Sequence, residues 1–388
     1  MKVMKFCMLV AIGAAIVGCG SSSSSSTSAG GTATSAAATS AQSGSSSGTT
    51  AAQLAAAKAA VAQASAPITT WKGPTSAPTP AKNKFVVAIP CSDAAAGCKR
   101  PMDAFQQAAH LLGWKTLNID PQGNLQMWKA AFATAIRLHA NGIATIGGTT
   151  PVFAQQLAAA KKAGVTVINV SGAKVDGPPA WFANIYQNNY NEGILEAAFL
   201  TAQSGGKANI LLTTDSEYDS ILEWRTGFLA GLKKYCSGCK VITEIRYTLE
   251  DFQTTLPQKV QAALEAHPNI NWIWGSYDAG SVPVVQAVQQ AGLTGKVQLV
   301  SVNGDPENLG FIAKGQVESG TVANCLEWEG YAAVDELNRA FNNQPEDPNE
   351  FYGSKLITKA NLPQPSGQPW DCDIDFRAQY KKIWGLGS

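Results

Sequence analysis

The residues best placed to do chemistry stand where short apolar runs end. Tyr277 and Asp278 follow the run Asn271 to Ser276, which is rich in β-branched and aromatic residues and bounded by Pro268 and Gly280, as a buried strand is. From Val282 to Ala291 the apolar spacing is helical, and Gly292 supplies a stop. A ring and a carboxylate at such a junction can hold a ligand off a strand end, and Asp278 can equally cap the helix. Covalent chemistry finds less support. Cys236-Ser237-Gly238-Cys239 has the spacing of a redox pair, but it precedes a strand, whereas a thioredoxin-like motif opens a helix. It lacks a second pair for zinc. Gly44-Ser45-Ser46-Ser47-Gly48 fits a nucleophile-elbow pattern only inside low-complexity sequence. The three histidines, His110, His139 and His267, fall in or at the end of predicted helices, away from strand ends. These residues give no support for an enzyme, and neither a cofactor nor a metal is expected.

The elements that must position such a site alternate. Predicted strands cover 85–90, 115–119, 143–146, 165–170 and 181–186, with helices over 101–113, 124–140, 151–163 and 191–203 between and after them. The pattern restarts with strands at 208–212, 241–246, 271–276, 297–302 and 320–324, separated by helices at 220–235, 256–266 and 282–291 and one that Asp305 caps and Pro306 begins. A further helix runs from Glu327 to Phe341. Repeated strand–helix units with near-continuous apolar strands give parallel sheets covered on both faces. Two series give an α/β chain of two doubly wound parallel-sheet lobes.

The front of the chain reads as an address and a tether. Lys2 and Lys5 precede an apolar run from Phe6 to Val17, a secretory signal over 1–18 that is too short for an ordinary membrane span. Ile16-Val17-Gly18-Cys19 resembles a bacterial lipobox, which implies lipidation of Cys19. Residues 19–81 are almost all Ser, Ala, Thr, Gly and Pro, the composition of a disordered spacer, with some helical tendency at 53–64. The expected location is extracytoplasmic and membrane-anchored, in a periplasm or on a cell surface. A net charge of +1 without a basic block argues against nucleic acid as a partner. Beyond Cys7 and Cys19, six of the eight cysteines remain, an even number in an exported chain. Sequence proximity favours Cys91–Cys98 and Cys236–Cys239, which leaves Cys325–Cys372; other pairings stay open.

Between residues 84 and 357 the chain resembles the type I periplasmic binding proteins, the ribose-binding, LacI-like family. The likeness lies in Arg225-Thr226-Gly227-Phe228 at a helix start, in Asp251-Phe252 before a helix ending Ala266-His267-Pro268, and in Ser276-Tyr277-Asp278. It continues in Val302-Asn303-Gly304-Asp305-Pro306 and in Thr321-Val322-Ala323-Asn324. The resemblance implies a three-crossing hinge, near 186–189, 324–328 and 352–355. The lobes would comprise 82–187 plus 326–352, and 188–325 plus 353–388 with a C-terminal extension. It implies a monomer that closes on a small molecule and is recognised by the permease of an ABC importer; a sensory protein feeding a receptor or chemoreceptor is the alternative.

By the same resemblance Arg225 would hydrogen-bond the ligand, through a fork suited to two hydroxyls or a carboxylate. Asn303 and Asn324 would supply amides, and Phe252, Tyr277 and Trp328 stacking faces. Ser92 and Asp93 fall in the first strand–helix loop. Where sugar binders of the family carry an Asp-Arg pair, this chain has Val170-Ser171-Gly172-Ala173, which leaves Ser171 as the polar group. A sugar, a modified sugar or polyol, and an aromatic or carboxylated molecule all remain open. In the tail, Phe376, Tyr380 and Trp384 recur at helical spacing and are expected to pack on the body, with Cys372 bonded to Cys325 beside the hinge.

Overall fold

A computed structural model describes residues 48–174, 181–347, 353–365 and 367–387. The signal segment, Cys19, most of the Gly44–Gly48 motif and Tyr352 at the third crossing lie outside those residues. The first sheet contains β1 (Phe85–Ile89), β2 (Lys115–Asn118), β3 (Gly142–Ile146), β4 (Thr166–Gly172) and β5 (Ala183–Tyr186), in the order β2-β1-β3-β4-β5. All its pairings are parallel. Its helices are α2 (Ala96–Leu111), α3 (Leu125–Arg137), α4 (Thr150–Lys162) and α10 (Leu326–Phe341). The second sheet contains β6 (Asn209–Asp215), β7 (Lys240–Tyr247), β8 (Trp272–Gly275), β9 (Gln298–Asn303), β10 (Glu318–Asn324) and β11 (Ser354–Thr358). Its order is β11-β10-β9-β8-β6-β7, with β11 an antiparallel edge. Around it stand α5 (Asn189–Ser204), α6 (Asp219–Tyr235), α7 (Leu256–Ala266), α8 (Asp278–Gln290) and α9 (Pro306–Lys314).

Central strands are buried along their whole length, as in Ile143–Ile146 and Trp272–Gly275, so their side chains meet helices on both faces. The chain passes between the sheets after β5, after β10 and between α10 and β11. Strand order reverses between β1 and β3 in one sheet and between β6 and β8 in the other. Those reversals are where an open α/β sheet leaves a crevice beyond its strand ends.

Helix α2 begins at Ala96 and not at Pro101, which lies inside it. Proline lacks an N–H, so Pro101 cannot return the usual bond to the carbonyl of Gly97. The spacer expectation also fails beyond residue 48. Ala51–Ala64 forms α1, opened by a capping box of Thr50 and Gln53. Ala57 is buried against Ala198 and Tyr235, because small side chains let α1 approach α5 and α6 closely. Residues 66–81 then run along the body. Trp71 stacks on Trp328 with ring centroids 4.6 Å apart. Arg339 donates to the Ser76 carbonyl (2.6 Å), Asn338 to that of Pro78 (2.9 Å) and Trp114 to that of Ala81 (2.7 Å). The composition hid this because the contacts are made by backbone carbonyls and one ring.

The C-terminal extension, expected with the second lobe, instead places α11 (Phe376–Ile383) on α10, beside the first. Phe376, Tyr380 and Trp384 are buried there, Tyr331 stacks on Trp384, and Trp384 Nε1 donates to Asp335 (2.8 Å). Disulfides join Cys91 to Cys98, Cys236 to Cys239 and Cys325 to Cys372. The last closes a sequence separation of 47 and fixes the tail to the second crossing. Loop-closure entropy makes it worth about 4 kcal/mol, against about 1.6 kcal/mol for a separation of 3. Chemical denaturation should show Cys325→Ser/Cys372→Ser losing more than twice the stability lost by Cys236→Ser/Cys239→Ser.

Candidate functional site

A cavity of about 60 Å³ lies where the carboxyl ends of the two sheets meet. From the first lobe its wall takes Cys91, Ala95, Gly97 and Cys98 after β1, Ile146 and Gly147 after β3, and Ser171 at the end of β4. From the second it takes Tyr218, Ser220, Ile221 and Trp224 after β6, Leu249 after β7, Tyr277 after β8 and Asn303 at the end of β9. Gln187 and Leu326 enter at the first two crossings. Among the described residues no lining side chain carries a charge; hydroxyls and amides stand among rings, aliphatic groups and the Cys91–Cys98 disulfide. The lobes touch here. A Cβ on Gly97 would lie 2.3 Å from Asn303 Nδ2, so any larger residue at the start of α2 would displace that amide.

Behind the lining, hydrogen bonds run through the hinge. Ser171 Oγ lies 2.5 Å from Glu329 Oε2, and Gln187 Nε2 donates to Glu329 Oε1 (2.6 Å). Asn324 Nδ2 donates to Gln187 Oε1 (2.9 Å), which ties the first two crossings together. Burial pushes the Glu329 carboxyl up to about 8 against the two hydrogen bonds that favour its charge. In the second lobe Trp224 Nε1 donates to Glu192 (2.7 Å), whose carboxyl burial raises to about 7. Tyr277 donates to Asp215 (3.1 Å), which burial likewise raises to about 7. These acids hold the polar ends of cavity-lining side chains without entering the cavity.

A model of the periplasmic binding protein domain matches residues 85–345, spanning both lobes. The chain belongs to the periplasmic binding protein family. The family is one of extracytoplasmic solute binders, not enzymes. Among solved structures, the binding protein is similar to a sugar ABC transporter protein from Yersinia enterocolitica, at 18% identity and TM-score 0.70, over 81% of this chain and 100% of that one. It also resembles an ABC sugar transporter subunit from Rhodobacter sphaeroides, at 22% identity and TM-score 0.64, over 72% of this chain and 99% of that one. A third is a solute-binding protein from Agrobacterium vitis with bound allitol, at 20% identity and TM-score 0.65, over 72% and 97%. At these identities the likeness establishes the fold. No curated protein sequence matches the chain. Among the described residues no helix is long and apolar enough to cross a membrane, and no cluster of His, Cys, Asp and Glu could hold a metal ion.

Of the residues singled out from the sequence, the binding protein brings Ser171, Tyr277 and Asn303 to the cavity wall. Asn324 stands one layer behind, on Gln187. The others lie elsewhere. Arg225 gives its fork to Glu244 on β7, at 2.7 and 2.8 Å. One residue past Trp224 is a rotation of about 100° around the helix, which turns Arg225 off the cavity. Trp328 lies under Trp71 and donates to the Tyr380 hydroxyl (3.2 Å). Phe252 borders an outer groove with Pro257, Pro283 and Pro306. Ser92 Oγ accepts from Ala94 N–H (3.2 Å), and Asp93 accepts from Asn118 (2.7 Å). Asp278 neither caps α8 nor reaches the cavity. It is buried, receiving Ser301 and Thr321 hydroxyls (2.5 and 2.9 Å) and the Asp305 N–H (2.7 Å).

Sequence reasoning missed Gln187, Tyr218, Trp224 and the cavity role of Cys91 and Cys98. Tyr218 and Trp224 carried a usable signal, since they flank the start of a helix predicted to follow a strand. Gly97→Val should lower ligand affinity about ten-fold by propping the lobes apart, whereas Arg225→Ala should leave it within about two-fold; calorimetry with any bound ligand reads both.

Glu329 also sets a pH dependence. Its carboxyl keeps its proton in the folded chain up to about pH 8 but loses it near the ordinary Glu value once unfolded. The folded state thus holds the extra proton between those limits, and stability falls as pH rises through that window. Glu329→Gln should flatten part of the fall in Tm between about pH 5 and pH 8.

Proposed function

We propose that this chain is a lipid-anchored substrate-binding protein of an ABC importer, which closes its two lobes around a small uncharged sugar or polyol. The observation that carries the reading is the composition of the cavity. Hydroxyls and amides from Ser171, Gln187, Ser220 and Asn303 can pair with ligand hydroxyls, and the rings of Tyr218, Trp224 and Tyr277 can cover C–H faces. With Arg225 held by Glu244, no cation lines the wall to meet a carboxylate. The importer role draws on the similar structures, which are described as parts of sugar ABC transporters or as holding allitol, tagatopyranose or arabinose. The anchor draws on the Ile16-Val17-Gly18-Cys19 ending.

A thermal-shift screen against neutral sugars, polyols and aromatic or aliphatic acids tests the ligand class. A ligand at about a thousand times its Kd adds roughly 4 kcal/mol of stability. Neutral polyhydroxylated compounds should raise Tm by several degrees. Hits confined to acids would overturn the proposed chemistry. In cells, Cys19→Ala should move the protein from the membrane pellet to the soluble fraction.

A further inference from the structure

Arg100 does not line the cavity and is little exposed to solvent. It sits in α2, with a side chain 10% exposed, and all five of its N–H donors find acceptors. Nε and Nη2 hold both oxygens of Glu327 (2.7 and 2.8 Å), and Nη2 also donates to the Trp370 carbonyl (3.0 Å). The Nη1 edge crosses the cleft. It donates to Asp305 Oδ1 (3.0 Å) and is shared between the carbonyls of Gly304 (3.3 Å) and Asn303 (3.4 Å). Asp305 occupies the N-cap position of α9 but its side chain makes no capping bond. Its carboxylate is turned to the other lobe, while its own N–H is fixed by Asp278. Asn303, whose carbonyl accepts from Arg100, is a wall of the cavity.

We propose that Arg100 is the positioning residue for lobe closure: its Nη1 edge, on Asp305 and the 303–304 backbone, clamps the cleft shut and sets the place of Asn303. The inference rests on the binding-protein reading of a hinged cleft but not on the ligand's identity. The two edges of the guanidinium have different duties. Glu327 stands in α10, packed on α2 within the first lobe, and keeps the cation paired in either state. The Nη1 edge can then detach while the cation stays paired, and the parting cleft opens Asp305 to water. A clamp built this way is strong when closed and inexpensive to open.

The test uses Asp305→Asn, which keeps size and removes the charge, and Arg100→Lys, which keeps charge and removes the fork. Spin labels at Met127→Cys in α3 and Gln286→Cys in α8 report the distance between lobes in the unliganded protein. Both variants should shift that distribution to longer distances than the labelled parent. With a ligand in hand, dissociation should speed up at least about ten-fold while association stays within about three-fold. A purely structural role would lower Tm without moving the distance or splitting the rates. Folded variants with unchanged interlobe distances overturn the clamp, and Arg100→Lys decides the question if Asp305→Asn fails to fold. If no sugar or polyol binds, the ligand reading fails while the unliganded distances still decide the clamp.

Discussion

A cleft that opens and closes favours polar groups that have partners in place, because an abandoned buried donor or acceptor costs about 1–3 kcal/mol. That constraint orders the polar interior of this chain. At the hinge, Gln187 and Asn324 bond each other across two crossings, so the pivot carries its own hydrogen bonds. Glu329 gathers Ser171 and Gln187 at the rear of the cavity. Trp224 and Tyr277 present rings to the ligand space and give their N–H and O–H to Glu192 and Asp215 behind it. Among the described residues the cavity wall is therefore uncharged, with acids held one layer back.

The sheets supply the geometry for that layer. Both reverse their strand order at the cleft, and the loops after β1, β3, β6 and β8 bring most of the lining. The Cys91–Cys98 bond closes the first of these loops and also forms wall, so one covalent link shapes the cavity from the first lobe. The terminal segments add ties that the sheets lack. Ile68 N–H and Lys355 both reach Asp373, which joins the leading segment, the edge strand and the tail at one carboxylate.

The fold was legible because buried parallel strands and amphipathic helices write different periods, and their alternation was long and unbroken. The residues at strand ends were legible for the same reason: Ser171, Tyr277 and Asn303 stand where a strand must stop. Helix positions were harder. Matching a motif gives a residue's place along a helix but not its face, and a step of one residue separates Trp224 from Arg225 and Glu329 from Trp328. Arg100 left no trace at all in the pattern. Its partners Asp305 and Glu327 lie 205 and 227 residues away, beyond the reach of any local spacing. The leading segment failed differently: an Ala-rich stretch reads as spacer until a notch its own size, lined by Ala198, is there to receive Ala57.

The stacked indoles of Trp71 and Trp328 have an optical consequence. Their planes lie 9° apart, close enough for the excited states of the two rings to mix. Mixing of this kind depends steeply on angle and spacing, and it shows in the near-ultraviolet circular dichroism. One indole belongs to the leading segment and the other to the helix that begins at the second crossing. The pair is therefore a label-free gauge of whether the leading segment is docked on α10.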